Sequence, residues 1–377
     1  MSKKYDVIVV GAGIVGASCA FECAASGLKV LVLDRGPIGG GTSGACMGHI
    51  VVLDGSEAQF ALTRYSQRLW NELSPSLPEQ AEYVRYGTLW VAADEEEMAE
   101  AHRKYKVYTE NGLEVEILDQ KALRKEEPHL VESLVGGLLV KQDSVIYPPG
   151  ASYYLLKESQ KNGAVVRIST EVKEILPEGA VVLSDETKIS GNAIVNACGC
   201  QAPDFSDNAP IKKRKGHLAI TERLKGFINH QIIELGYLKT AHLATGDSVA
   251  FNVQPHKTDH ILVGSSRQND SESAEVEQRI LSKMLKRAWE YMPALRDVPV
   301  IRTCAGFRPA TPDKLPLIGP DGDSGKLWLA AGHEGGGITC SLGTGKLVCD
   351  MIMGRSSEID TKPYCPSRYA KGNSKDV

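Results

Sequence analysis

Apolar residues run together at Tyr5-Asp6-Val7-Ile8-Val9-Val10 and stop at Gly11-Ala12-Gly13-Ile14-Val15-Gly16. The same change from apolar run to glycines returns far along the chain, where Lys326-Leu327-Trp328-Leu329-Ala330-Ala331 meets Gly332-His333-Glu334-Gly335-Gly336-Gly337. Each run predicts a buried strand, and each loop predicts the start of a helix. After the first loop the helix continues through Ala17-Ser18-Cys19-Ala20-Phe21-Glu22 and ends at Gly27. A second strand, Lys29-Val30-Leu31-Val32-Leu33, then delivers Asp34.

Between these ends the pattern alternates. Helices are predicted from Ser56 to about Leu73, from Ala151 to about Asn162 after Pro148-Pro149-Gly150, and from about Ser273 to Trp289. Strands are predicted at 86–92, 136–147, 165–168, 180–183 and 193–199, the last ending in small residues that let backbone approach a ligand. Asp94 with Glu97 forms a capping box, and the helix behind it carries Glu100 and Lys104 at i,i+4, which reads as a solvated face. Residues 211–304 read as antiparallel β with one helix, including a hairpin around Gln254–Asp259.

The first loop carries chemistry. Its glycines allow a tight turn, close approach of phosphate and helix–strand packing, while helix N-terminal amides attract a pyrophosphate. Asp34 stands where a ribose diol is read. Strand, loop, helix, strand and acid in this order predict a dinucleotide site. The second loop offers another helix start to the electron-accepting ring of the same cofactor. It lacks a following strand with an acid, which argues against a separate NAD(P) site.

With 377 residues the chain has room for two domains, and its net charge of -4 gives no reason to expect nucleic acid. The basic run Lys212-Lys213-Arg214-Lys215 reads as a solvated strand entrance. No stretch reaches the roughly 20 apolar residues of a membrane span, and the immediate entry into a strand leads us to expect no signal peptide. The nine cysteines are scattered without a CxxC, so reduced thiols in a cytoplasmic protein are expected, with no zinc or iron–sulfur centre. His256 and His260 lie in a turn without a third ligand, so no metal is expected.

GAGIVG at the start, Asn196-Ala197-Cys198-Gly199, Gly306-Phe307-Arg308-Pro309-Ala310-Thr311-Pro312-Asp313, Pro316-Leu317-Ile318-Gly319 and the second glycine loop occur in one order. In this the chain resembles the D-amino-acid oxidase and glycine oxidase family of FAD-dependent oxidoreductases. Within it, Gly41–Ile50 and Gly332–Thr339 resemble flavin subunits of heteromeric bacterial dehydrogenases: hydrogen cyanide synthase, opine oxidase and D-hydroxyproline dehydrogenase.

The resemblance implies an α/β fold with a Rossmann-type, glutathione-reductase-like FAD-binding domain and an inserted antiparallel-sheet substrate domain. The expected division is 1–45, 146–210 and 305–365 for FAD, 46–145 and 211–304 for substrate, and a loose tail at 366–377. It implies oxidation of a small amino or imino acid, with electrons passed to a partner subunit carrying a second redox centre. A stand-alone oxidase using oxygen and a non-catalytic flavoprotein subunit are the alternatives. Any membrane association would run through partners.

Cofactor contacts are expected from Gly11, Gly13, Ile14, Val15, Gly16, Asp34 and Arg35, then from Thr42, Ser43, Val172, Ala197 and Gly199. Gly306 and the Gly335, Gly336, Gly337, Ile338, Thr339 segment complete the set. Arg308 is expected to hold the substrate carboxylate with its planar fork. His333 is expected near the ring. His49 either tunes the flavin, meets substrate or is packed, and Trp90 is either a cavity wall or core. Cys304 is displaced from the position where sarcosine oxidases attach flavin, so FAD is expected to be non-covalent.

Overall fold

The computed structural model describes residues 4–236, 246–269 and 271–370. The chain opens with β1 (Tyr5–Val10), α1 (Ile14–Ala25) and β2 (Val30–Leu33), followed by β3 (His49–Ile50), α2 (Glu57–Leu73), β4 (Thr88–Ala92) and α3 (Glu95–Glu110). Then come β5 (Val115–Asp119), α4 (Gln120–Glu126), β6 (Gly136–Val140), β7 (Ser144–Val145) and α5 (Pro148–Lys161). Strands β8 (Val165–Arg167), β9 (Val172–Leu176), β10 (Ala180–Leu183) and β11 (Lys188–Asn196) follow. The last stretch holds β12 (Lys212–Arg223), β13 (Gln231–Glu234), β14 (Ser248–Pro255), β15 (His260–Arg267) and α6 (Gln278–Tyr291). It closes with β16 (Val300–Ala310), β17 (Leu317–Pro320), β18 (Leu327–Ala331) and α7 (Gly337–Ile352).

The first sheet runs β17-β18-β11-β1-β2-β8, with β9 and β10 attached to β11. Its centre is parallel: β1 lies between β11 and β2, and β18 joins β11. Both faces are covered, so Val7, Ile8 and Val9 are fully buried, which is why their run shows no alternation. On one face α1 packs against α5 and α7, and α2 packs against α7. Trp70 of α2 belongs to this core, donating its indole N–H to the Ile338 carbonyl at 3.1 Å.

The second sheet runs β16-β12-β15-β14-β13-β4-β6-β5. It is not wholly antiparallel, because β13 pairs parallel with β4. These two strands come from separate stretches of chain, so no hairpin constrains their direction. Strand β16 pairs with β12 from Lys212↔Ala310 to Thr221↔Val300. Residues 305–310, expected with the first sheet, therefore belong to the second, while α2, expected with the second, packs under the first.

Other expectations also shift. Lys104 does not pair with Glu100, which instead meets Arg103. Its ammonium is buried against Asp54 beneath the Trp90 and Tyr108 rings, so one face of α3 is core rather than solvated. The basic run opens strand β12 and sinks into the protein along its length: Lys212 is exposed, Lys213 and Arg214 are half-buried, and Lys215 is buried and paired with Glu277 at 3.0 Å. The start of the tail is pinned as well. Arg368 donates to Asp313 at 2.7 Å and to the Leu315 carbonyl at 2.8 Å. Residues 371–377 of the tail lie outside the described residues. Among the described residues no helix is long and apolar enough to cross a membrane, and no group of metal-ligating side chains comes together.

Candidate active site

One cavity of about 1020 Å³ extends from the β1–α1 turn to the wall formed by β12, β14 and β16. Its floor is the carboxyl end of the parallel strands, where open α/β sheets bind ligands.

The turn after β1 is packed backbone to backbone. Gly11 has φ +113, and a Cβ there would stand 2.5 Å from the Ala197 carbonyl oxygen. A Cβ on Gly16 would stand 2.0 Å from the Gly11 oxygen, so Gly16 serves the turn's packing and is not on the cavity wall. Gly11, Gly13, Ile14 and Val15 are on it. Ser43 accepts a hydrogen bond from the Ile14 amide at 3.0 Å, tying the 42–45 turn to the start of α1. Thr42 donates to the Phe307 carbonyl at 2.9 Å, which anchors the same turn to β16. Asp34 accepts from the Ala12 amide at 2.6 Å and the Gly36 amide at 2.7 Å. Its carboxylate thus holds the loop in shape, and each oxygen keeps a further lone pair for a ribose hydroxyl. Arg35, Val172, Ala197 and Gly199 line the same end.

At the opposite end β16 contributes Gly306 and Arg308, and the second loop contributes Gly335, Gly337 and Ile338. Gly336 and Thr339 are not on the wall. Thr339 is a clamp, accepting from the Val51 amide at 3.0 Å and donating to the His49 carbonyl at 3.1 Å. Arg308 donates to the Ser266 carbonyl at 3.0 Å and lies directly over Gly216, whose missing side chain makes room for the guanidinium.

The two histidines differ. His333 reaches the wall, but its Nε2 is 2.8 Å from the Thr344 hydroxyl inside α7. Its imidazole is therefore a structural brace, and burial lowers its pKa to about 4. His49 also lines the cavity, and its Nε2 is buried without a partner among the described residues. Burial likewise lowers it to about 4, so the ring is neutral near pH 7. Asn252 Oδ1 on the opposite wall is in the same position. Buried polar atoms of this kind are normally satisfied, so each is ready for a bound molecule. Trp90 is core rather than wall.

Sequence reading missed Asn252 and Glu334. Asn252 carries no local signal, because only the pairing of β14 brings it to the wall. Glu334 was visible inside the second loop but was passed over for the glycines around it. It is a largely buried carboxylate, its side chain 9 % exposed, whose Oε1 accepts from Arg214 Nη1 at 2.5 Å and lies 3.8 Å from Arg267 Nη2. With Arg267, Arg214 and Arg308 around it, Glu334 is held below the usual carboxylate range against the opposing effect of burial.

A glycine-lined turn at a helix start, an acid closing it, a long cavity and unpartnered polar atoms at its far end fit a dinucleotide carrying a ring. Residues 6–351 match the DAO family, described as FAD dependent oxidoreductase. The chain belongs to this family. Its relatives in the DAO family include a hydrogen cyanide synthase subunit from Pseudomonas aeruginosa, 25% identical over 98% of this chain and 97% of the relative. A glycine oxidase from Geobacillus kaustophilus is 26% identical over 98% of each. The solved L-proline dehydrogenase from P. horikoshii has the same fold, with a TM-score of 0.88 and 24% identity over 99% of both chains. As a DAO-family enzyme this chain is an FAD-dependent oxidoreductase with the mixed α/β fold expected of it.

Proposed function

We propose that the chain oxidises the C–N bond of a small amino or imino acid and hands the electrons to a protein partner. Arg308 carries this reading: a guanidinium fork on the cavity wall, beside Gly306 and across from the second loop. Its side chain is set by Gly216 and the Ser266 carbonyl, so it meets a carboxylate in a fixed orientation. The β1–α1 turn, Asp34 and the second glycine loop would hold FAD, which would supply a two-electron acceptor for oxidation of the C–N bond to C=N. The N-terminus of α7 favours negative charge developing at that end of the cavity. His49 and Asn252 offer polar atoms to the amine or the ring, and the neutral His49 is able to accept a proton.

We also infer that FAD is held without a covalent bond. Cys304 is absent from the cavity wall. Cys46, Cys198 and Cys200 are on it, but burial raises all three thiols, Cys46 and Cys198 to about 12, which keeps them protonated and poorly nucleophilic. Acid precipitation should release yellow flavin to the supernatant; colour remaining in the pellet contradicts this.

Arg308→Ala removes a charge-assisted bidentate pair and should lower kcat/KM by about 2–5 kcal/mol in transition-state binding, with Arg308→Lys recovering part. The assay is anaerobic flavin bleaching with glycine, sarcosine and proline. Unchanged efficiency in Arg308→Ala removes the carboxylate role.

The partner reading is supported by similarity to a relative named as a subunit. A stand-alone oxidase is the second reading, since the glycine oxidase relative is as similar. Stopped-flow reoxidation separates them. Slow reaction with oxygen and fast reaction with a dye acceptor support the partner; oxygen reacting at the turnover rate supports the oxidase.

A further inference from the structure

The second loop holds one charged residue among its glycines, and its backbone is unusual. Glu334 has φ +47, a left-handed conformation that side-chain-bearing residues seldom adopt. Such conformations persist where the surroundings over-determine them, often at binding sites. Here the surroundings are cationic. Arg214 and Arg308 face each other in the β12–β16 register, and Arg267 ends β15 beside them. Arg214 is steadied by Asn269, accepting its Nε–H at 3.3 Å, and Glu334 receives its Nη1. Arg267 approaches the same carboxylate oxygen. Glu334 itself is on the cavity wall with Arg308, while Arg214 and Arg267 stand behind it.

We propose that Glu334 is a specificity-determining residue: an internal carboxylate that fills the Arg214–Arg267 pair and restricts the cavity to ligands with one carboxylate. The proposal rests on Arg308 binding the substrate carboxylate, as argued above. A second carboxylate entering the cavity would meet the anionic Glu334 where water is scarce, and like charges brought together there are strongly unfavourable. Rejection of the wrong ligand by a placed charge is a common route to specificity. Removing the charge would turn the same two arginines toward the ligand, so the variant should not merely tolerate a second carboxylate but bind it.

The test uses the FAD-loaded enzyme titrated with acetate and with malonate, read by perturbation of the flavin absorbance. The wild type should bind acetate more tightly than malonate. Glu334→Gln should raise malonate affinity relative to acetate by about tenfold or more, and adding Arg214→Ala should remove most of that gain. Glu334→Asp should restore discrimination in part. An unchanged malonate-to-acetate ratio in Glu334→Gln, with acetate still lost in Arg308→Ala, overturns the filter and leaves the carboxylate role of Arg308 intact. Failure of both anions to perturb the wild-type flavin overturns the Arg308 reading, and the filter with it. Should Glu334→Gln purify without flavin, Arg214→Gln replaces it. That variant leaves Glu334 less neutralised and must deepen malonate rejection; an unchanged ratio there overturns the proposal.

Discussion

The two glycine loops look alike as strings, yet their glycines answer to different neighbours. In the first, a Cβ on Gly16 would stand 2.0 Å from backbone, and one on Gly11 2.5 Å from another carbonyl. The protein itself fills the space those side chains would need. In the second, only Gly332 at the strand end is confined, with φ +78 and a Cβ that would stand 2.7 Å from Thr311 Cγ2. Past it a Cβ on Gly335 meets nothing within 4 Å, and those on Gly336 and Gly337 make only ordinary contacts, at 3.7 and 3.4 Å. Nothing in the chain demands glycine at Gly335, and the space beside it is cavity. The first loop is shaped by its own packing. Beyond Gly332 the second is shaped by room for something that is not protein, and its one bulky charged residue is turned to a cluster of arginines.

That contrast predicts a graded set of outcomes. Gly16→Ala should be the most damaging, since Cβ is set against backbone that has no flexible end to yield. A loss of about 3 kcal/mol is expected from overpacking, read from the urea midpoint, together with poor flavin retention. Near-normal stability would mean that the α1 start relaxes easily and that the loops differ less than their packing indicates.

The second loop should add a pH term through His333. Its folded pKa of about 4 lies below the ordinary 6.5, so the unfolded chain takes up the proton first as pH falls. Stability should therefore drop between pH 6.5 and pH 4, with this one imidazole contributing a slope of about 1.4 kcal/mol per pH unit. His333→Gln should lessen the slope over that window while keeping a polar contact to Thr344. The same slope in the variant would show that the ring is not the titrating group.

Gly335→Ala should have the smallest effect on stability, within about 0.5 kcal/mol, because open space receives the methyl. Its signature should be in the ligand: a higher FAD dissociation constant or a displaced flavin absorption maximum. A stability loss as large as that of Gly16→Ala, with flavin unaffected, would erase the distinction between the loops.

How far the string could be read follows from where each signal resides. The β1–α1–β2 unit was legible because all of its determinants lie within thirty-odd consecutive residues and each is local: an unbroken apolar run, a turn, a helix and an acid. Caps were legible for the same reason. Asp94 accepts from the Glu97 amide within one turn, as the capping box predicts, and the helix read from Ser56 does start there, its hydroxyl accepting from the Gln59 amide. Lys104 was misread because its partner Asp54 is fifty residues away, whereas Glu100 is four. The tail was misread because Arg368 finds Asp313 and two carbonyls only after β17 is in place.

By itself the sequence determined the strand-and-glycine skeleton, the dinucleotide turn and Asp34 at the end of β2, since short-range order suffices for these; Arg308 was singled out only through the family resemblance. Tertiary structure alone decided that Gly216 seats Arg308, that His333 is spent on Thr344 while His49 Nε2 finds no partner among the described residues, and that Glu334 sits among arginines from two other strands. The physical reason is range. Hydrophobic periodicity and turn chemistry act over a few residues, but a charge or a buried ring nitrogen is defined by whichever distant strands fold against it, and low dielectric makes that company decisive.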